Sequence, residues 1–84
     1  MKDTYYIIEM KEGYTRYYRV RQIVAESITD AYNIIERAKY RFGYEILISS
    51  PTAEAAFNSI DTRLRLDEEA GIRSTIATRQ TVSL

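Results

Sequence analysis

The chain has 84 residues, neither cysteine nor histidine, and 12 Lys and Arg that cancel 12 Asp and Glu. This length holds one domain with one modest core. The missing residue types exclude disulfides, the usual zinc ligand sets, thiolate nucleophiles and histidine-based general bases, and the neutral balance lacks the net positive charge of a typical nucleic-acid binder.

Residue choice says more than net charge. Nine arginines stand against three lysines, and there are eight tyrosines; both preferences suit planar, stacked or interfacial contacts. Residues 1–42 carry eight basic and six acidic side chains, and residues 43–84 carry four and six. No apolar run approaches the roughly 20 residues of a membrane span, and the start lacks a signal-peptide pattern, so a cytoplasmic, intracellular protein without membrane contact is expected.

Residues 4–10 (TYYIIEM) alternate as a strand, with Tyr6, Ile8 and Met10 on one face. Lys11, Glu12 and Gly13 break it, and a second strand over residues 14–25 completes an antiparallel hairpin. On that strand Tyr18, Val20 and Val24 share the predicted core face; Thr15, Tyr17, Arg19, Arg21 and Ile23 share the predicted wet face. Ser27 and Asp30 form a capping pair, after which Ile28, Ala31, Ile35, Ala38 and Phe42 recur at helical spacing until Gly43 stops the helix. Packing of that stripe on Tyr6, Ile8, Tyr18, Val20 and Ile46 or Leu47 is expected.

A third strand covers residues 44–49 (YEILIS), and Ser50 with Pro51 fits a cap followed by proline at the first helical position. Ala53, Ala56, Phe57, Ile60 and Leu64 mark a second helix, closed by Gly71. Residues 72–84 read as an edge strand or an extended arm anchored by Ile72, Ile76 and Val82, on the domain's own sheet edge or on a second copy. The whole is an α+β domain of order β-β-α-β-α-(β), an antiparallel sheet with helices on one face. Residues 1–50 form a compact ββαβ unit and residues 51–84 a C-terminal appendage.

The densest constellation is residues 14–21, three tyrosines interleaved with three arginines. Tyr14, Arg16, Tyr17, Arg19 and Arg21, with Arg37 and Arg41 of the first helix, are the candidate partner-binding residues. Aromatics and guanidinium groups on a sheet face suit a protein interface or stacked bases and phosphates; the plainer alternative is a solvated hairpin face whose charge discourages edge pairing. Asp67, Glu68 and Glu69 are the one acidic cluster, with Arg63, Arg65 or Arg73 as candidate partners. Without histidine or a calcium-loop spacing it is not a metal site, and no phosphate loop or paired catalytic carboxylates occur. No catalytic residue, cofactor or enzymatic activity is therefore expected.

The strand running into a capped helix over residues 20–35 (VRQIVAESITDAYNII), with the hairpin before it and the strand after it, resembles small ββαβ proteins of phages and mobile elements. These include some anti-CRISPR inhibitors, and the unit also resembles RNA-contacting ribosomal proteins. The resemblance spans about the first 50 residues and implies a protein that occupies a surface on a larger host or viral assembly. Three readings follow: a protein-binding module, possible also as a homo-oligomer; a nucleic-acid-binding module using Arg16, Arg19, Arg21, Arg37 and Arg41; or a structural component of a virion or other assembly.

Overall fold

The computed structural model describes residues 1–38 and 42–83. Strands β1 (Asp3–Lys11) and β2 (Arg16–Ala25) form the hairpin, followed by helix α1 (Ile28–Arg37), strand β3 (Glu45–Ser50), helix α2 (Ala53–Glu69) and the short strands β4 (Ser74–Ile76) and β5 (Val82–Ser83). The sheet order is β3-β1-β2-β4, and β5 also pairs with β2. Hairpin register places Glu9 opposite Arg19 and Ile7 opposite Arg21.

The α+β class and the order of elements agree with the sequence, but the sheet is mixed. β1 is antiparallel to both neighbours, whereas β4 and β5 run parallel to β2. β2, β3 and β4 therefore all point the same way, and each helix is a crossover. The α1 crossover carries the chain from β2 over β1 to β3; the α2 crossover returns it across β1 and β2 to β4. Travelling in opposite directions, two crossovers of the same hand must lie on opposite faces, and chain twist favours the right hand for both.

The helices accordingly cover different faces, which corrects the expected one-sided layer. Ala31 and Ile35 of α1 pack on Ile7, Ile23 and Ala25, flanked by Tyr5, Ile28 and Ile46. Ala56 and Ile60 of α2 pack on Ile8, Tyr18 and Val20, flanked by Tyr6, Met10, Leu47 and Leu64. The stripe of α1 thus meets the odd-numbered residues of the hairpin, not Tyr6, Ile8, Tyr18 and Val20. Both faces of a two-residue repeat are covered, which is why β1 carries the unbroken aromatic and apolar run Tyr5–Ile8 rather than a strict alternation.

Local chemistry sets the helix ends. The Ser27 hydroxyl accepts from the Asp30 amide at 3.1 Å, while the Asp30 carboxylate accepts from the Glu26 amide at 3.2 Å. α1 ends at Arg37, earlier than the apolar spacing suggests, because Ala38 is already extended. Phe42, expected in the core, is exposed with φ 54°, and Gly43 follows with φ 80°. α2 is capped by Thr52, which accepts from the Ala55 amide at 3.0 Å, so Ser50 stays in β3 and Pro51 precedes the cap. At its other end the Ile72 amide donates to the Asp67 carbonyl and the Gly71 amide to that of Glu68, with Gly71 at φ 75°. This pair of bonds requires the left-handed residue that glycine supplies.

The C-terminal segment is anchored on the domain's own sheet. Ile76 packs on the α2-side core, and Val82 pairs with Arg21. Ile72 lies at the α2 exit, 37 % exposed, with its amide bonded to the Asp67 carbonyl.

Candidate functional site

Two charged networks organise the hairpin, one on each face. α1 has 10 residues and spans about 15 Å, whereas the nine residues of β1 span about 30 Å. α1 therefore covers the half of its face carrying Tyr5, Ile7, Ile23 and Ala25. Toward the hairpin turn lie Glu9, Arg19, Arg21 and Tyr44, all buried: Glu9 is 0 % exposed, Arg21 4 % and Arg19 8 %. Glu9 Oε1 accepts from Arg19 Nε at 2.7 Å and from Arg21 Nε at 3.2 Å. The Arg19 guanidinium also lies 3.6 Å from the centroid of the Tyr44 ring. The second oxygen, Glu9 Oε2, is buried without a hydrogen-bond partner.

Arg19 and Arg21 are thus interior ion-pair residues, and their expected place on a wet face is corrected. Alternation put them with Tyr17 and Ile23 as one face. The error lay in taking that face as solvated, when Glu9 opposite Arg19 supplies the counter-charge that lets guanidinium groups be buried.

On the other face, Asp67 is buried near the end of α2. Its Oδ2 accepts from Tyr18 Oη at 2.6 Å and its Oδ1 from Arg16 Nη1 at 3.0 Å. Arg16 Nε also donates to Glu12 at 2.6 Å, and the Arg16 amide to the Arg73 carbonyl at 2.8 Å. The basic partner of the acidic cluster is therefore Arg16, rather than Arg63, Arg65 or Arg73. These bonds fasten the hairpin turn to the end of α2. Pairing with Glu12, reinforced by Tyr18 and Asp67, holds the Arg16 guanidinium above its ordinary range.

Burial, and then the bond to Asp67, push the Tyr18 phenol above its ordinary value of 10.0. The unfolded chain releases this proton near pH 10 while the folded chain retains it. Stability contributed by neutral Tyr18 is therefore complete below pH 10 and is lost as pH rises through the higher folded value. Thermal melts between pH 9 and pH 11 should show a steeper alkaline decline for the native chain than for Tyr18→Phe. Identical slopes would show that this phenol does not control the decline. Burial likewise raises Tyr44, so the variant should keep part of the slope.

The remaining candidates are distributed as follows. Tyr14 stands at the turn, 87 % exposed, with the Arg73 guanidinium 5.0 Å from its ring centroid. Tyr17 is exposed on the α1 side, opposite Lys11 in the hairpin register. Arg37 lies exposed on α1 and donates to the Asn33 carbonyl at 3.2 Å. Arg41 falls outside the described residues.

At the same end the fold gathers Leu66, which residue patterns did not single out, with Phe42, expected in the core, and Ile72, expected to anchor the arm. Phe42 adjoins Gly43, which sits against the methylenes of Lys11, the residue paired with Tyr17. Leu66 and Ile72 flank Asp67 where it grips Arg16 and Tyr18. Both are exposed, as is Phe42. Leu66 could have been flagged from its position off the α2 apolar stripe; the approach of the helix end to the hairpin turn is a tertiary fact without a local signal.

Among the described residues, no group of three or more acidic side chains could hold a metal ion, and no helix is long and apolar enough to cross a membrane. No protein-family model, curated protein or solved structure matches the chain.

Proposed function

We propose that the chain is a non-catalytic protein-binding module that engages its partner with the hairpin end of the sheet, centred on Tyr14 and Tyr17. The observation that carries this reading is the gathering of five exposed apolar or aromatic side chains, Tyr14, Tyr17, Phe42, Leu66 and Ile72, at one end of so small a molecule. Exposed aromatic side chains flanked by arginine match the composition of protein interfaces. The alternative of nucleic acid loses support from the same geometry, because Arg16, Arg19 and Arg21 are each held by a carboxylate of the chain itself. A role within a larger assembly, or contact between copies, would use the same end.

Replacing Tyr14 and Tyr17 together by alanine should change unfolding free energy by less than about 1 kcal/mol, since both side chains are exposed. The same variant should lose the partner that tagged native protein recovers from its host. A protein interface with an apolar centre weakens only modestly with salt, whereas phosphate contacts give a steep linear fall of log affinity with log salt. Recovery of nucleic acid with that steep dependence would overturn the reading.

A further inference from the structure

Beyond β2, strand β4 forms one edge of the sheet, and beside it runs a groove of about 410 Å³ against α2. We infer that this groove binds an extended, acidic peptide segment of a partner protein, which adds as a further strand to the free edge of β4. The inference rests on the protein-binding reading above and names the chemistry that such a partner must offer.

The backbone supplies the first half of the argument. The Arg73 carbonyl accepts from the Arg16 amide and the Ala77 amide donates to the Tyr18 carbonyl, each at 2.8 Å. With Thr75 paired to Tyr17, the odd-numbered residues of this segment face β2. Along a strand, backbone groups alternate direction, so the amides and carbonyls of Ser74 and Ile76 point outward. β5 does not cover them, because it pairs farther along β2, at Arg21 and Gln22. An edge with outward donors and acceptors is the template for strand addition, in which backbone bonds give affinity and flanking pockets give selectivity.

The walls supply the second half. Leu64, Ile72 and Ile76 provide apolar surface, while Arg65, Arg73 and Arg79 contribute guanidinium groups against the single carboxylate of Glu68. Arg79 is also tied to Asp61 of α2 by bonds of 2.8 and 3.3 Å, which joins the segment after β4 to the helix. With Arg79 held by Asp61, the guanidinium groups of Arg65 and Arg73 remain against the one carboxylate of Glu68 among the residues lining the groove. A strand added at this edge turns alternate side chains toward α2, so acidic residues in that set would meet Arg65 beside the apolar surface of Leu64 and Ile76. The volume lies in the range of about 300–1,000 Å³ typical of ligand clefts.

Fluorescence anisotropy on the full chain tests the inference with a labelled seven-residue peptide alternating valine and glutamate. Its lysine counterpart and a copy methylated on alternate backbone nitrogens serve as comparisons. The acidic peptide should bind, and its affinity should fall roughly tenfold or more for the lysine peptide, the methylated copy, and the paired change Arg65→Glu with Arg73→Glu. Ser74→Pro removes an outward amide without touching the bonds to β2, and should weaken binding similarly. Circular dichroism melts confirm that each variant is folded. Absence of binding by the acidic peptide, equal binding of the lysine peptide, or undiminished binding of the methylated copy would each overturn the proposal. Competition by single-stranded DNA that the arginine reversal abolishes would overturn it in favour of a nucleic-acid site. If native protein captures a partner that survives the arginine reversal but not the tyrosine double change, the groove is excluded while the hairpin-end interface stands.

Discussion

Glu9→Ala is expected to lower the unfolding free energy by about 3–5 kcal/mol, the usual consequence of removing one member of a buried ion pair. Glu9 is fully buried and its carboxylate is shared by the nearly buried Arg19 and Arg21. Truncation leaves two guanidinium groups in the interior without that counter-ion, along with the cavity of the lost side chain. For a domain whose whole stability is about 5–15 kcal/mol, this shift is readily measured by denaturant titration. Replacing Glu9, Arg19 and Arg21 together by leucine and methionine separates the two contributions. The triple variant should recover most of the loss, since well-packed apolar residues in place of a buried ionic group are neutral or stabilising by about 1–4 kcal/mol. A cost below about 1 kcal/mol for Glu9→Ala would mean that this carboxylate is not what permits burial of the arginines.

The second large effect tests the two-sided core. Ile35→Ala under α1 and Ile60→Ala under α2 should each cost about 2–5 kcal/mol, because both side chains are completely buried. The two belong to separate clusters on opposite sheet faces. Their effects should therefore add to within about 0.5 kcal/mol, as expected of sites without common partners. The combined loss approaches the entire stability of a small domain, and the double variant should be largely unfolded at 25 °C. Strong non-additivity in the unfolding free energies would show that the two clusters behave as one core.

Much of the local structure was legible because local chemistry determines it. The hairpin follows from two β-rich runs and a polar break, the start of α1 from Ser27 and Asp30, and the end of α2 from Gly71. Helix α2 was visible in its apolar spacing, although its cap is Thr52 rather than Ser50, a two-residue ambiguity when three hydroxyl residues bracket a proline. What stayed hidden depends on non-local pairing. The parallel docking of β4 cannot be seen in three residues, and without it the direction of the α2 crossover, and hence its face, is undetermined. The burial of Arg19 and Arg21 was partly accessible: Glu9 interrupts an apolar strand, and a hairpin register aligning it with Arg19 supplies a reason for both. Asp67 and Arg16 are 51 residues apart, and neither has a sequence neighbour that signals the other.

The parallel pairing of β4 and β5 with β2 has a consequence during synthesis. The hairpin is local and closes within microseconds of its emergence, but the outer edge of β2 finds its partners only when residues 74–83 have been made. At about 5–20 residues per second, that interval after Ala25 is roughly 3–12 s. Throughout it a nascent chain displays a bare strand edge beside a half-built apolar layer, the kind of surface that chaperones capture and that nucleates aggregation. Expression yield should therefore be more sensitive to substitutions in this late-pairing segment than its small share of the folded core would suggest.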